Sequence, residues 1–391
     1  MDKNSLNKTF SKKAASTFAY IGSFTDEHGP GIVQLLLNPD GTLTKLSTFN
    51  ISSPTFFAIN TQGNLLYTVN EIDNFNGPNT TGSVTALKID PVDGTLSTVG
   101  RPIASGGTYP THISLSTDGN WVFVSNYGSG TVAILPTLGD GSLGEPTQVF
   151  SLPIAPFGVP PGTDAPTGSF GNTGHEALHA HQAQLDPSGR FLIVNELATD
   201  RIYSYLFDSV RGTVNTISPY FAQATSGAGP RHCAFNPSDN TKLYSLNEQA
   251  STINTLILNP NTGELNITNS CSALPLEFKG TSFGSEIAVS NNSQFLYVSN
   301  RLHDSIGVFN IDVSGNLQPA LARHFHTQGD YPRYFTFGPN EEYMYVCNQR
   351  SDNVAVFRHT PNTGQLIFTG KYIDIGSPSF ICFVTVGQLS S

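Results

Sequence analysis

The amino-acid sequence predicts an all-β protein, a seven-bladed β-propeller of four-stranded blades that is closed by strands from both termini. Three observations lead to this prediction: a segment that recurs about every 50 residues, turns at regular spacing, and apolar residues that alternate with polar ones. The 37 glycines and 25 prolines supply many turns, and only 12% of the 391 residues are charged. These features argue against a helical repeat.

Each copy of the repeat has the same order: an apolar strand, a polar turn, a second strand that ends near an asparagine, a third strand, and a further turn. Six copies begin near Pro54, Pro110, His179, Pro230, Ser285 and Pro332. A seventh blade takes its first strand from residues 377–384 and its other strands from residues 16–43. Joining both ends of the chain in one blade leaves no open sheet edge. We therefore expect one propeller domain over residues 17–391, after a disordered tail over residues 1–16.

Composition limits the partners and the compartment. A net charge of −10 argues against binding to nucleic acid or to an anionic membrane surface. The four cysteines show no CxxC spacing and three lie in apolar strands, so we expect buried free thiols. The first residues lack the apolar segment of a signal peptide, and no run of about 18 apolar residues occurs. These features predict a cytoplasmic protein without a membrane or nucleic-acid partner, and they leave the oligomeric state open.

The blade geometry predicts which residues meet. Because a hairpin reverses direction, the first strand of a blade begins on the face where the second strand ends. These two points of every blade should ring one mouth of the central channel. The first-strand position holds Thr55, Thr111, His181, Arg231, Ser285, Arg333 and Ser379. The next position holds Phe56, His112, Gln182, His232, Glu286, Tyr334 and Phe380. After the asparagine of the second strand come Glu71, Tyr127, Glu196, Glu248, Arg301 and Gln349.

The asparagine itself repeats, as Asn70, Asn126, Asn195, Asn247, Asn300 and Asn348. A residue that is the same in every blade is typical of a structural role, here the capping of a turn. The residues beside it differ from blade to blade. That divergence indicates that each blade contributes a different group to one shared pocket.

Three of these mouth residues, Arg231, Arg301 and Arg333, come from consecutive blades. Guanidinium groups bind carboxylates and phosphates through paired hydrogen bonds, so the sequence predicts a site for an anion. The alternative is a structural network in which carboxylates neutralise the arginines. The candidate carboxylates are Glu71, Glu248 and Glu286.

Proton transfer near neutral pH requires a group such as histidine at the same mouth. The candidates are His112, His179, His181 and His232, with Glu248 as an alternative base. For each histidine a packing role is equally open. His179 and His181 could form a metal pair, but no further ligands are evident, and we predict no metal and no cofactor. Substrate-binding roles are predicted for Arg333, His112, His179, His232, Glu71, Glu286 and Gln349.

A segment rich in glycine and proline at about residues 153–178 joins two blades on the side of this mouth. A lid or a pocket wall is one interpretation, and a surface insertion is the other. The sequence contains no P-loop motif.

Four segments, in four consecutive blades, resemble the propeller lactonase family, which includes propeller-type 6-phosphogluconolactonases and, more distantly, fungal carboxy-cis,cis-muconate cyclases. They contain the motifs HAHQAQLDPSGRFLIVNE, GPRHCAFNP with SLNE, SEIAVSNNSQFLYVSNR, and YPRYFTF with CNQ, and weaker copies extend over residues 18–384. The resemblance implies a site at the channel mouth. It assigns catalytic roles to His181, Arg231, Glu248 and Arg301. Leu178 replaces a usual proline, and Glu196 departs from the usual pattern, which leaves the fine substrate preference open.

The resemblance implies a hydrolase that opens a small anionic sugar lactone, most simply 6-phosphogluconolactone to 6-phosphogluconate, without a cofactor. A carboxy-cis,cis-muconate-type cycloisomerase is the first alternative, and a non-enzymatic propeller scaffold is the second. The most unusual polar residues of the sequence are predicted at the channel mouth, which favours an enzyme over a scaffold.

Overall fold

A computed structural model describes residues 15–157 and 174–387. Every regular secondary-structure element within these ranges is a β-strand, and the 29 strands form seven sheets. The predicted seven-bladed propeller is confirmed. The described residues include no helix that could span a membrane. Residues 1–14 of the predicted tail and residues 158–173 of the predicted insertion lie outside the described residues.

Strands are numbered in chain order, and each blade is given from its innermost strand outwards. Blade 7, the composite blade, contains β29 (Pro378–Val386), β1 (Ser16–Ser23), β2 (Ile32–Leu37) and β3 (Leu43–Phe49). Blade 1 contains β4 (Phe57–Ile59), β5 (Leu65–Asn70), β6 (Ser83–Ile89) and β7 (Leu96–Ala104). Blade 2 contains β8 (Pro110–Leu115), β9 (Trp121–Asn126), β10 (Thr131–Pro136) and β11 (Gln148–Ser151).

Blade 3 contains β12 (Ala180–Leu185), β13 (Phe191–Glu196), β14 (Arg201–Asp208), β15 (Thr213–Val214) and β16 (Tyr220–Gln223). Blade 4 contains β17 (Pro230–Asn236), β18 (Asp239–Asn247), β19 (Thr252–Leu258) and β20 (Leu265–Ser272). Blade 5 contains β21 (Gly284–Val289), β22 (Phe295–Asn300), β23 (Ser305–Ile311) and β24 (Leu317–His326). Blade 6 contains β25 (Pro332–Phe337), β26 (Tyr343–Asn348), β27 (Asn353–Thr360) and β28 (Gln365–Asp374). Only blade 3 departs from four strands, because its outer edge is divided between β15 and β16, which both pair with β14.

The two ends of the chain close the ring in blade 7. Strand β29 pairs antiparallel with β1, with Phe18 opposite Val384 and Ala19 opposite Phe383. Each end therefore satisfies the backbone hydrogen bonds of the other, and the blade has the same four strands as its neighbours.

Apolar side chains of alternating strand positions pack between neighbouring blades, and each of the seven interfaces has its own buried cluster. Tyrosines of the second strands add hydrogen bonds across these interfaces. The hydroxyl of Tyr345 donates to the carbonyl of Gly41 at 2.8 Å, which connects blade 6 to blade 7. Gly41 has a φ of +80°, and a Cβ there would lie 2.5 Å from the ring of Tyr343. Only glycine fits this turn without strain.

A repeated aspartate positions the innermost strands. Asp200, Asp304 and Asp352 lie between the second and third strands of their blades, all with positive φ. Their carboxylates accept backbone N–H bonds from the segment that leads into the next blade. Asp200 accepts from Gly229 at 2.7 Å, and Asp304 accepts from Tyr331 at 2.9 Å. These bonds hold the start of β17 and β25, where two mouth arginines lie.

The four cysteines are free thiols. Cys233 and Cys347 are buried as predicted, whereas Cys382 is only partly buried.

Candidate active site

The two ends of each inner hairpin meet at one mouth of the channel. The backbone N–H of Glu248 donates to the carbonyl of Gly229 at 2.6 Å, and that of Arg301 donates to Phe283 at 2.8 Å. Equivalent bonds are made by Glu71, Tyr127 and Gln349 in their blades. Side chains that follow the second strand therefore lie beside those that open the first strand, as the hairpin argument predicts.

Blade 3 corrects the predicted alignment by one residue. Glu196, not Asn195, pairs across the hairpin with the first residue of the third strand, as Asn126 does in blade 2. The buried Glu196 carboxylate accepts the backbone N–H groups of His179 and Thr199, so it caps the turn and does not face the mouth. Leu197 takes the mouth position of this blade. The alignment failed because a carboxylate here does the capping that asparagine does elsewhere.

The carboxylate of Glu248 brings the four predicted catalytic residues together. Its Oε2 atom lies 2.9 Å from Nε of Arg231 and 3.0 Å from Nη2 of Arg301. The same oxygen lies 4.0 Å from Nε2 of His181. Blades 3, 4 and 5 thus contribute to one charged cluster.

Both arginines of this cluster are buried and anchored to the backbone of blade 5. Arg231 Nη1 donates to the carbonyl of Ser285, and Arg301 Nη2 donates to that of Gly284 at 3.2 Å. Burial, together with the charge of Arg301, lowers the pKa of Arg231 to about 9, so it stays cationic at neutral pH. Burial opposes ionisation of Glu248, but the two guanidiniums outweigh it and hold its pKa below the ordinary value.

His181 is neutral at neutral pH. Burial and the nearby Arg231 charge place its pKa well below the ordinary value of histidine. Its Nε2 atom faces Glu248, whereas its Nδ1 atom has no hydrogen-bond partner among residues 15–157 and 174–387. A ligand or a water molecule could therefore use Nδ1 as an acceptor.

His232, His112 and Glu286 form a buried group next to His181 in the channel. Nδ1 of His232 lies 2.9 Å from Oε2 of Glu286, and the His232 and His181 ring centroids are 5.0 Å apart. The ring of His112 packs on Phe56 at 4.5 Å. Burial lowers the pKa of both histidines and raises the pKa of Glu286 to about 8.

Arg333 and Glu71 lie at the same mouth in a separate pair. Nη2 of Arg333 is 3.9 Å from Oε1 of Glu71, and Thr55 Oγ1 donates to Oε2 of Glu71 at 2.6 Å. The Arg333 guanidinium lies over the ring of Phe24 at 4.6 Å. A small cavity of about 10 Å³, enough for one water molecule, lies between them and is lined by Thr55, Phe56, Glu71, Thr111, Arg231, His232, Arg333, Tyr334 and Ser379.

The last two predicted substrate-binding residues are occupied by neighbouring groups. His179 stacks on the ring of Tyr127 at 4.1 Å, and its Nδ1 lies 2.9 Å from the Tyr127 carbonyl. Gln349 donates to Glu27 at 3.1 Å. Within the described ranges, no cluster of three or more histidine, cysteine, aspartate or glutamate side chains could hold a metal ion.

The structure adds mouth residues that sequence reasoning did not single out. Tyr331, at the residue before the first strand of blade 6, contacts Nη1 of Arg301 through its hydroxyl at 3.4 Å. The guanidinium of Arg350 stacks on the same ring at 3.8 Å. Buried His175 lies 3.5 Å from Asp200, although the sequence suggested no role for it. Sequence position could have indicated Tyr331, because a tyrosine, Tyr109, stands at the same place before the first strand of blade 2.

A seven-bladed propeller with arginines, a carboxylate and a neutral histidine around one channel mouth defines a class of propeller enzymes. The chain belongs to the lactonase family of seven-bladed β-propellers, whose family model matches residues 18–383. The predicted resemblance and the prediction of an enzyme of the lactone hydrolase type are confirmed.

Named relatives cover most of the chain. A 6-phosphogluconolactonase of Bacillus subtilis is 30% identical over 369 residues, covering 93% of this chain and 97% of the relative. A 6-phosphogluconolactonase of Yersinia pestis is 28% identical over 281 residues, covering 72% of this chain and 75% of the relative. The solved structure of a periplasmic gluconolactonase of Pseudomonas aeruginosa is similar with a TM-score of 0.83 at 27% identity, covering 95% of this chain and 100% of that one.

Proposed function

We propose that this protein hydrolyses a small anionic sugar lactone, 6-phosphogluconolactone, to 6-phosphogluconate. The observation that carries the proposal is the cluster in which Glu248 is shared by Arg231 and Arg301 beside a neutral His181. The names of the relatives in Bacillus subtilis and Yersinia pestis support this substrate.

The charge of the cluster suits the reaction. Two guanidiniums share one carboxylate, so the cluster has an excess positive charge in a protein that is acidic overall. Attack on a lactone carbonyl places negative charge on its oxygen, and buried cations that are already oriented stabilise such charge strongly. The guanidiniums of Arg231 and Arg301, held in place by Glu248 and by backbone carbonyls of blade 5, supply this positive charge at the channel mouth.

His181 acts as the general base. Its unpartnered Nδ1 accepts a proton from a water molecule as the water oxygen bonds to the ring carbonyl carbon. The imidazolium that forms is stabilised by Glu248, in the way that a carboxylate stabilises histidine in catalytic triads. The tetrahedral intermediate then breaks its bond to the ring oxygen. That oxygen takes the proton from His181 and becomes a hydroxyl group, and the former carbonyl carbon becomes the carboxylic acid.

No cofactor takes part in this scheme, and the substrate is the only partner that it requires. We propose a cytoplasmic location, because four free thiols are typical of a reducing compartment. The periplasmic gluconolactonase of similar structure makes location worth testing, by fractionation of cells that produce the tagged protein.

The function is tested by a pH-stat assay of the purified protein on 6-phosphogluconolactone, gluconolactone and a carboxymuconolactone. Acid release well above the spontaneous rate on the first compound supports the proposal. Activity on carboxymuconolactone alone would favour the cycloisomerase alternative, and activity on none would contradict the proposal. Arg231→Ala should lower turnover in a protein that remains folded by circular dichroism.

A further inference from the structure

We propose that Arg333 binds the phosphate of the substrate and so determines selectivity for phosphorylated lactones. Arg231 and Arg301 then act at the reacting carbonyl. The inference rests on the lactone hydrolase function proposed above. It divides the mouth into a reaction half, which contains Arg231 and Arg301, and an anion-binding half, which contains Arg333.

The arginines of the reaction half are already committed to protein acceptors. Both contact Glu248, and each also donates to a backbone carbonyl of blade 5. Their side chains are only 4% and 5% exposed. Binding a phosphate dianion there would require breaking several of these contacts at once, and it would place the dianion against the Glu248 carboxylate.

Arg333 is less committed. Its one carboxylate neighbour is Glu71 at 3.9 Å, and its guanidinium donates no hydrogen bond to any residue in the ranges 15–157 and 174–387. Its side chain is 17% exposed, and the guanidinium packs over the Phe24 ring. Stacking on a ring orients a guanidinium and leaves its edge N–H groups free to bind oxygen atoms in pairs.

Neutral donors share the cavity with Arg333. Thr55, Thr111 and Ser379 line it. The hydroxyl of Thr55 donates to Glu71 and that of Thr111 to the carbonyl of His181, whereas the buried Ser379 Oγ has no hydrogen-bond partner among the described residues. A guanidinium beside one free hydroxyl donor suits phosphate oxygens, and Thr55 becomes a second donor if Glu71 is displaced. Arg231 lines the same cavity. A substrate with its carbonyl at Arg231 would extend its other end towards Arg333 once Glu71 moves aside, because the cavity as it stands holds only about one water molecule.

The carboxylate of Glu71 competes with a phosphate for Arg333, because both are anions that pair with the guanidinium. Burial raises the pKa of Glu71, which favours its neutral form. A bound phosphate would displace Glu71 from the arginine or keep it protonated. Removal of the Glu71 charge should therefore strengthen phosphate binding, which is opposite in sign to removal of the Arg333 charge.

The test compares kcat/KM for 6-phosphogluconolactone and for gluconolactone in four proteins: wild type, Arg333→Gln, Glu71→Gln and Arg350→Gln. Arg350 is the matched control, because it is an arginine of the same rim that stacks on Tyr331 and does not line the cavity. We expect Arg333→Gln to reduce the preference for the phosphorylated lactone about 10- to 100-fold. Activity on gluconolactone should change by less than about 3-fold, which also shows that the variant is folded. Glu71→Gln should increase the preference, and Arg350→Gln should leave it unchanged.

Equal losses on both lactones in Arg333→Gln would overturn the inference, and so would an unchanged preference or an equal effect of Arg350→Gln. If the wild type hydrolyses neither lactone, the proposed function fails, and calorimetry with 6-phosphogluconate and gluconate then tests Arg333 on its own. Tighter binding of 6-phosphogluconate by the wild type, lost in Arg333→Gln, supports the inference. Equal binding of the two compounds by the wild type contradicts it.

Discussion

Nε2 of His181 lies 4.0 Å from Oε2 of Glu248, although the two residues come from different blades and are far apart in the chain. The same oxygen contacts two arginines, so the carboxylate is held as an anion beside a neutral imidazole. An anionic carboxylate beside a neutral imidazole allows His181 to act as a base and Glu248 to stabilise its protonated form. It also makes the site sensitive to single substitutions.

The first prediction concerns the carboxylate. Glu248→Gln keeps the shape of the side chain but removes the charge that stabilises protonated His181. It also leaves Arg231 and Arg301 without their common counter-ion. We expect kcat on the lactone to fall by about 10²- to 10⁴-fold, the range for loss of acid–base assistance. Glu264→Gln, an exposed carboxylate of the same blade, is the control and should retain full activity.

The second prediction concerns pH. Because the pKa of His181 is lowered by burial and then by Arg231, the base stays neutral well below pH 6.5. The kcat/KM of the wild type should therefore be constant from pH 8 down to about 6.5 and fall only at lower pH. Arg231→Gln removes a positive charge, which should raise this pKa and move the acid limb to higher pH. A wild-type acid limb centred at 6.5 or above would contradict the assignment of His181.

The third prediction concerns Glu286 and stability. Burial raises its pKa to about 8 in the folded protein, above the ordinary value of 4.5. The folded state therefore prefers the protonated carboxyl, and the stability that this gives is present below pH 4.5 and lost as pH rises through about 8. We expect the Tm of the wild type to fall, relative to Glu286→Gln, by roughly 3–6 °C between pH 5 and pH 9. Parallel Tm curves for the two proteins would show that Glu286 titrates normally.

The fourth prediction concerns the interface between blades 6 and 7. Gly41 and Gly119 both have positive φ, of +80° and +72°. A Cβ on Gly41 would lie 2.5 Å from the Tyr343 ring, whereas a Cβ on Gly119 would have no atom within 4 Å. Gly119→Ala should cost about 1–2 kcal/mol of unfolding free energy for its backbone conformation alone. Gly41→Ala should cost about 1–3 kcal/mol more, because Tyr343 must move. Equal denaturation midpoints for the two variants would contradict the packing argument.

Much of the fold could be predicted because the strands and turns of each blade are specified by residues within that blade. The period, the alternation and the turn residues are local signals, and the two partial copies at the ends completed the count. In blade 3 these local signals gave the wrong alignment. Asn195 looked like the repeated asparagine, but the hairpin register places Glu196 there and Leu197 at the mouth.

The sequence by itself determined the seven-bladed ring and the side of it on which Arg231, Glu248, Arg301 and His181 lie, since strand direction follows from hairpin order. Only the tertiary structure decided their partners. It joined Arg231 and Arg301 to Glu248, His232 to Glu286, and Arg333 to Glu71. Those pairings depend on distances between side chains of different blades and on burial, which sets their charges. Neither quantity can be read from residue types and spacing.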